Sequence, residues 1–384
     1  MDAHPPPSLH QRSPGEFGLW SFFVAILLCV FATDITNVGS FPPVSSGDSL
    51  LDGTWARSIE EHLINRRSPV FIGLRPLFAE GAYELAGETP PIVGAHKGGW
   101  WYLQWEMDCR VSRGEAGRRR IAKHAQDVAR LRDFLASRRT ELLVVIVPNR
   151  LRIYPEHFFS DHQPPHSMKW LYRGLISELE LRGVPTLDLE KIMLDEKIRL
   201  SSPDLLYHSV DHHWSCTGCL VACKAISGHV RARHPEWCDA KPYSSSLEKP
   251  RSEPAPAGVL QFLGFESPWI EQHHHENSWV FDVKDQALFS EAARRESHVV
   301  LLGDSFEDYE PGCMRNYLEC YLRAPVRTLE SIPEPVSCKL WKWIQGEAFM
   351  QRRPSLVILE LWEAHIQKDQ MSDISNVLEQ FKIQ

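Results

Sequence analysis

The stretch VVLLGDSF, residues 299–306, joins a short apolar run to a glycine-led turn and a serine. Four consecutive apolar residues without a polar face are typical of a strand buried on both sides. Gly303 lets the backbone turn sharply, and parallel sheets present groups to ligands at the carboxyl ends of their strands. Ser305 is therefore a candidate nucleophile. Taken alone, GDS more often marks a serine that caps a turn beside Asp304.

Three other segments predict strands of the same sheet. Residues 142–147 (LLVVIV) and 356–361 (LVILEL) are short apolar runs. Residues 184–189 (VPTLDL) predict a shorter strand, because Pro185 lacks the N–H that a ladder needs. Helical spacing of apolar residues separates these segments, over residues 118–139, 168–182 and 216–232. Alternation of this kind predicts an α/β domain with a mostly parallel central sheet covered on both faces.

Three further segments have weaker patterns. Residues 53–66 (GTWARSIEEHLINR) have helical spacing and are expected to open the folded domain. Residues 92–105 predict two strands that turn at Gly98-Gly99. Residues 239–257 are rich in proline and serine, which predicts a loop without regular structure inside the domain.

The tetrapeptide DHHW, residues 211–214, supplies an acid and a base in one short loop. A serine hydroxyl needs a base to become a nucleophile, and the base needs a carboxylate to fix its tautomer and stabilise its charged form. Asp211 and His213 can fill these two roles, and Ser215 is available as the N-cap of the helix that follows. The alternative is a hydrogen-bonded loop histidine beside a packed tryptophan, with no chemistry.

A metal site is the competing chemical interpretation. Asp211 with His212 and His213, or the run His273, His274 and His275, offers legitimate ligand types. Neither group has ligand spacing on a regular element, so we predict no metal. A cysteine set lies on the helix predicted over residues 216–232, and there we expect core packing: Cys216, Cys219 and Cys223.

Composition limits the remaining function classes. The chain has 384 residues, 43% of them hydrophobic, and a formal net charge of -8. Without a global basic field, nucleic acid is not expected as the principal partner. The nine cysteines match no small disulfide scaffold. The place to look for a bridge is among Cys313, Cys320 and Cys338.

The N-terminal region contains a segment suited to lipid. Residues 17–33 (FGLWSFFVAILLCVFAT) carry no charge and lie between Arg12 and Asp34. This predicts a transmembrane anchor, with a cleaved signal peptide as the alternative. Either places the rest of the chain outside the cytoplasm. A helix buried in the core is the third interpretation, although nothing nearby supplies the polar face of such a helix. The predicted organisation is a polar tail, an anchor, a linker and one domain, over residues 1–16, 17–34, 35–49 and 50–384.

Several ordered motifs together resemble the SGNH-hydrolase-like alginate O-acetyltransferase family, the AlgJ/AlgX-like proteins that contain DHHW. They are DGTWARSIEEHL at residue 52, VGAHKGGWWY at 93, VPNRLRIYPEHF at 147, YHSVDHHWSCTG at 207, GDSF at 303 and LVILELWE at 356. In that family the D-x-H-W element precedes the serine, as it does here. The resemblance implies a three-layer SGNH-like domain, and the lack of room for an appended carbohydrate-binding module implies the anchored, AlgJ-like form.

The resemblance also implies roles for single residues. Ser305 matches the nucleophile, His213 the general base and Asp211 the group that orients the base. Trp214 matches a tryptophan beside the base, expected to be packing support. The segment after the central strand offers possible substrate or oxyanion groups: Arg150, where the family usually has lysine, Tyr154, and Asn149 by position only.

The implied function is transfer of an acetyl group, through an acyl-serine, onto hydroxyls of an exported or cell-surface polysaccharide. A carbohydrate esterase of the same fold is the first alternative, since a triad serves water and sugar equally. A non-catalytic glycan-binding or scaffolding protein is the second. No cofactor is expected. A transferase outside the cytoplasm implies a membrane-bound O-acyltransferase partner that supplies acyl groups, and a periplasmic location on the inner membrane.

Overall fold

A computed structural model gives the fold of part of the chain. It describes residues 99–107, 114–200, 205–237, 251–254, 277–281, 289–308, 314–329, 340, 343–344, 349 and 353–364. All of these belong to one compact unit, residues 89–263 with 267–384. Within the described ranges, no helix is both long and apolar enough to cross a membrane. The predicted anchor at 17–34, the linker at 35–49 and the helix at 53–66 lie outside the described residues.

Helices and strands alternate through most of this unit. The strands are β1 (Glu141–Val147), β2 (Thr186–Asp188), β3 (Arg251–Pro254), β4 (Asn277–Val280), β5 (Val299–Leu302), β6 (Val326–Thr328) and β7 (Leu356–Trp362). The α-helices are α1 (Gln104–Met107), α2 (Gly114–Ala136), α3 (Arg150–Ile153), α4 (His166–Leu181), α5 (Leu189–Arg199), α6 (Cys216–Arg233), α7 (Glu291–Arg295), α8 (Ser305–Asp308) and α9 (Met314–Leu322). Single 3-10 turns lie at Pro155–His157 and Pro235–Trp237.

Five strands form one parallel sheet in the order β2-β1-β7-β5-β6. The last of the described strands, β7, lies at the centre between β1 and β5. Its side chains are buried along its whole length, as are those of β5, because helices cover both faces. The predicted α/β class with a parallel sheet is confirmed.

The two faces of the sheet pack two separate apolar clusters. In β1, Val144 and Ile146 contact the cluster that contains α2 and α4, whereas Leu143 and Val145 contact the cluster that contains α5, α6 and α9. This alternation follows from the period of two along a strand. Burying one such side chain contributes about 1.5–3 kcal/mol, so the three layers are held mainly by apolar contact.

Several predicted elements need correction. The strand expected over 184–189 spans only Thr186–Asp188, because Asp188 accepts a hydrogen bond from the Glu190 N–H and starts α5. Of the two strands predicted within 92–105, the first lies outside the described residues. The second is wrong, because only single bridge residues occur at Trp100 and Leu103 before α1 begins at Gln104. The loop predicted over 239–257 contains β3, which pairs antiparallel with β4. A two-stranded ribbon has only edge strands, and an edge tolerates Pro254.

The cysteine expectations have mixed outcomes. Cys216, Cys219 and Cys223 are buried in the core on α6, as predicted. Cys320 is a buried free thiol, so the bridge sought there is not formed. Its proposed partners, Cys313 and Cys338, lie outside the described residues.

Helix α6 begins where the DHHW loop ends. As predicted, Ser215 is the N-cap, and its hydroxyl accepts a hydrogen bond from the Gly218 N–H at 3.1 Å. A β-carbon at Gly218 would overlap the Leu206 carbonyl oxygen, which belongs to the segment just before the DHHW loop. Only glycine allows α6 to approach this backbone so closely.

Gly218→Ala is therefore expected to lower the free energy of unfolding by about 3 kcal/mol, because the loop must move away from the helix. The matched control is Gly228→Ala in the same helix, where a β-carbon meets nothing within 4 Å. That substitution should raise the free energy of unfolding by about 0.5–1 kcal/mol. Urea denaturation measures both, and equal effects of the two variants would contradict the close approach.

Candidate active site

Ser305 is the first residue of α8 and lies three residues beyond the end of β5. Its side chain is exposed, whereas Asp304 and Phe306 on either side are buried. The Asp304 carboxylate accepts a hydrogen bond from the Phe306 N–H at 3.0 Å, so it closes the turn around the serine. The turn therefore holds one open hydroxyl at the carboxyl edge of the sheet.

The DHHW loop brings the predicted base to this hydroxyl. The His213 Nε2 and the Ser305 Oγ are 2.8 Å apart, although the two residues are 92 positions apart in the chain. The His213 Nδ1 lies 2.6 Å from Asp211 Oδ1, which also accepts the His213 backbone N–H at 2.9 Å. A continuous hydrogen-bond chain thus runs from a buried carboxylate, through an imidazole, to an exposed hydroxyl.

The charge state of Asp211 fixes the direction of these bonds. Burial raises the pKa of this carboxyl, but the hydrogen bond from the His213 ring and the charge on that ring lower it more strongly. The net pKa is therefore lower than the ordinary value, and Asp211 is ionised at neutral pH. An ionised carboxylate only accepts hydrogen bonds, so the His213 Nδ1 carries the proton. In the neutral ring Nε2 is then free to accept the serine proton.

The loop that carries Asp211 and His213 is closed at its base. Tyr207 and Trp214 form an antiparallel bridge, and the Ser215 N–H donates to the Leu206 carbonyl at 3.0 Å. Between these ends the His208 N–H donates to the His213 carbonyl at 3.3 Å. These bonds make a small closed loop that presents its histidine toward β5.

Arg150 holds the backbone of this loop through hydrogen bonds. Its Nη1 donates to the carbonyl oxygens of His208, Ser209 and Asp211 at 2.9, 3.0 and 2.8 Å. Its Nε and Nη2 bind the Glu106 carboxylate at 3.1 and 3.0 Å, and both side chains are fully buried. In place of the predicted contact with substrate or oxyanion, the geometry gives Arg150 the task of holding the loop backbone.

The other residues predicted after β1 also face inward. Asn149 is the N-cap of α3, and its amide nitrogen donates to the Glu106 carbonyl at 3.1 Å. Tyr154 is buried, accepts the Leu206 N–H at 2.9 Å and packs on Trp100 with ring centroids 4.9 Å apart. These contacts brace the site, and neither side chain is placed on an open surface.

An aromatic wall surrounds the imidazole. Phe306 is fully buried, with its ring centroid 4.9 Å from that of His213 and 5.3 Å from that of Trp214. Trp214 is buried beside the base, which matches its predicted role in packing. The His212 ring lies 3.9 Å from the His213 ring and stacks on Trp362 at 5.1 Å. Apolar neighbours of this kind limit the reach of water to the base.

The competing metal site would use residues of the same loop. Ligand atoms of Asp211, His212 and His213 lie within 4.8 Å of one another. A metal bound there would have to displace the proton between His213 and Asp211. Separately, burial and the charge on His213 lower the pKa of His212. The cysteine set fits less well, since burial raises the pKa of Cys216 to about 11 and keeps the thiol protonated. His273, His274 and His275 lie outside the described residues.

Three buried glutamates belong to the support of the site and were not predicted from the sequence. Glu106 pairs with Arg150, Glu360 accepts the Asp304 N–H at 3.1 Å, and Glu363 accepts the Asn149 N–H at 2.9 Å. A signal existed for two of them. In LVILELWE, acids at 360 and 363 interrupt or follow a strand that is otherwise apolar on both faces, and a buried acid needs a specific partner.

The fold and this site define the class of protein. Residues 93–363 match the family model described as "SGNH hydrolase-like domain, acetyltransferase AlgX", and the chain belongs to that family. The resemblance drawn from the motifs is thereby confirmed.

Two relatives of this chain share the same name. Over 352 residues the chain is 23% identical to "Probable alginate O-acetylase AlgJ" of Pseudomonas syringae pv. tomato, covering 90% of this chain and 87% of that protein. It is 24% identical to the protein of the same name from Pseudomonas fluorescens, over 90% of this chain and 85% of the relative. Among solved structures, the O-acetyltransferase domain of Pseudomonas putida AlgJ has the same fold, with a TM-score of 0.57 and 19% identity over 74% of this chain and 99% of that domain.

Glu363 makes folding stability depend on pH. Burial raises its pKa from 4.5 to about 7, although Arg152 and the Asn149 N–H act in the opposite direction. The folded state therefore keeps this proton over a pH range in which the unfolded state has lost it. The contribution of Glu363 is fully present below about pH 4.5 and is lost as the pH rises through about 7.

For Glu363→Gln we expect a flatter dependence of the free energy of unfolding on pH between 5 and 8. The wild type should lose up to about 3 kcal/mol over that range from this group. Glu180→Gln, at an exposed position of α4, is the control and should keep the wild-type slope. Urea denaturation at pH 5, 6, 7 and 8 checks this, and parallel curves for all three proteins would refute it.

Proposed function

We propose that this chain is a serine-dependent O-acetyltransferase that uses Ser305, His213 and Asp211 as its catalytic triad. The observation that carries the proposal is the hydrogen-bond chain from the buried Asp211 through His213 to an exposed Ser305 hydroxyl. Membership of the acetyltransferase family supports the acetyl group as the cargo. The relatives named alginate O-acetylase support an exopolysaccharide hydroxyl as the acceptor.

In the first half of the reaction, Ser305 takes the acetyl group from a donor ester. As its oxygen attacks the carbonyl carbon, its proton moves to the His213 Nε2, and Asp211 stabilises the imidazolium that forms. The Ser305 backbone N–H is the expected donor to the oxyanion from this turn, because the Asp304 and Phe306 N–H groups donate to Glu360 and Asp304. The bond from the carbonyl carbon to the leaving oxygen then breaks, and His213 returns its proton to that oxygen.

In the second half, a sugar hydroxyl takes the place of the leaving group. His213 accepts its proton, the sugar oxygen attacks the acetyl-Ser305 carbonyl, and the proton passes to the serine oxygen as that bond breaks. Water in the same position would give an esterase. The exposure of Ser305 permits either acceptor, so binding of the polysaccharide and exclusion of water decide the outcome.

The proposed location follows from the sequence. The uncharged segment 17–33 favours an inner-membrane anchor that places the domain in the periplasm. A domain there has no access to the cytoplasmic pool of activated acyl groups. The proposed partner is therefore a multispanning membrane-bound O-acyltransferase that passes acetyl groups to Ser305.

The nucleophile is tested by intact-mass analysis of the full chain after incubation with 4-nitrophenyl acetate. The wild type should gain one acetyl group, which de-acetylated alginate oligosaccharides should then remove as an O-acetyl ester. Ser305→Ala should form no adduct, with ester turnover lowered by at least about 10⁴-fold. Ser177→Ala, at an exposed position of α4, is the control. Release of the acetyl group only to water would favour the esterase, and an unmodified wild type would contradict the proposal.

The anchor and the partner are tested by fractionation. The full chain should sediment with membranes, and a chain that starts at residue 35, exported by a cleavable leader, should be soluble in the periplasm. After gentle detergent extraction, the full chain should co-purify with a multispanning O-acyltransferase. Recovery of the full chain in the soluble periplasmic fraction would argue against the anchor. Its extraction without such a protein would argue against the partner.

A further inference from the structure

The central strand β7 extends beyond its neighbour β5 at the carboxyl edge of the sheet. The ladder between them ends at the pair Leu302 and Leu359. On its other side β7 continues to pair with β1, where Glu360 lies opposite Val145. Glu360 is thus the first residue of β7 that faces the place where the chain of β5 has left the sheet.

Beyond the last pair of the ladder, the Glu360 side chain supplies a hydrogen-bond acceptor to the chain that follows β5. Its Oε2 accepts the Asp304 N–H at 3.1 Å, and Asp304 in turn accepts the Phe306 N–H at 3.0 Å. These two bonds fix the backbone on both sides of Ser305. Glu360 is itself fully buried and therefore has a fixed position in the core.

The hydroxyl must be held accurately for the proposed reaction. The Ser305 Oγ has to remain about 2.8 Å from His213 Nε2, a distance that joins two separate segments of the chain. A displacement of roughly 1 Å at a reacting atom can cost about a hundredfold in rate. The bond from the Asp304 N–H to Glu360 is one residue away from the hydroxyl and anchors it to the central strand of the sheet.

From these contacts we infer that Glu360 is a positioning residue for acyl transfer, which holds the nucleophile turn against β7 through the Asp304 N–H. This inference rests on the proposed function of Ser305. Glu360 acts through the backbone and does not touch the reacting atoms. What it must supply is an acceptor oxygen at the right reach, so a neutral amide of equal length can replace it and a shorter carboxylate cannot.

The chain contains a matched control in Glu319 on α9. This glutamate is also buried, and its Oε1 accepts the Val326 N–H at 3.0 Å, where β6 begins. It pairs in addition with Arg294 at 2.9 Å. Glu319→Asp withdraws the same kind of acceptor from a backbone N–H as Glu360→Asp does, at a strand that carries no triad residue.

The experiment compares the full-length wild type with Glu360→Gln, Glu360→Asp, Glu360→Ala and Glu319→Asp. Ser305 acetylation by 4-nitrophenyl acetate is followed by intact mass across ester concentrations, and Tm is measured for each protein. Hydrogen exchange of peptides that contain the Asp304 amide reports on the turn independently of activity.

Glu360→Asp and Glu360→Ala are expected to lower the acetylation rate constant about 10- to 100-fold, with the half-saturating ester concentration unchanged and the Asp304 amide exchanging faster. Glu360→Gln should remain within about threefold of the wild-type rate, because the acceptor is kept. Glu319→Asp should lower Tm without slowing acetylation. The comparison of Gln with Asp decides the question even if Glu360→Ala does not fold.

Wild-type acetylation rates in Glu360→Asp would overturn the inference, and so would a Glu360→Gln variant as slow as Glu360→Asp. A wild type that is never acetylated would defeat the proposed function instead. Hydrogen exchange would then decide the positioning role alone, and equal protection of the Asp304 amide in wild type and Glu360→Asp would refute it.

Discussion

The buried guanidinium of Arg150 is the interaction on which the site depends. It holds the carbonyl oxygens of a loop that has almost no regular structure, and that loop carries both Asp211 and His213. Arg150 is itself held by Glu106, so the charge is neutralised inside the protein. Removing one partner of such a pair typically costs about 3–5 kcal/mol, because the other charge stays buried and uncompensated. The planar fork of arginine can reach several carbonyls and a carboxylate at once, which the point charge of lysine cannot do.

The second constraint is the central position of β7. It is the last strand in the chain order described, yet it lies between the strand that leads to Arg150 and the strand that leads to Ser305. The two glutamates near its end each bind a backbone N–H of a neighbouring segment, Glu360 at Asp304 and Glu363 at Asn149. The turn that carries Ser305 and the segment after β1 are therefore both bound to the same strand. Such a frame keeps Ser305 and His213 in contact across 92 positions of sequence.

Burial disfavours the ionised form of a carboxyl group and so raises its pKa. Glu363 shows this effect directly, since burial raises its pKa to about 7 despite the nearby Arg152. Asp211 shows the opposite balance, because its hydrogen bond to His213 outweighs burial and lowers the pKa. Asp211 is thus an ionised partner of His213, whereas Glu363 keeps a pKa near 7 and supports the segment after β1. The difference comes from the geometry of the hydrogen bonds around each group.

Local sequence determined much of this protein. Apolar runs predicted β1, β5 and β7, and helical periodicity predicted α2, α4 and α6. The Ser215 cap and the GDS turn could also be predicted, because each depends on residues a few positions apart. The motifs also named Ser305, His213 and Asp211 before their contacts were known. The tertiary structure alone decided the strand order, the inward role of Arg150 and the partnerships of Glu106, Glu360 and Glu363. Those contacts join residues 44, 56 and 214 positions apart, and no local pattern specifies which distant backbone group a buried acid will meet.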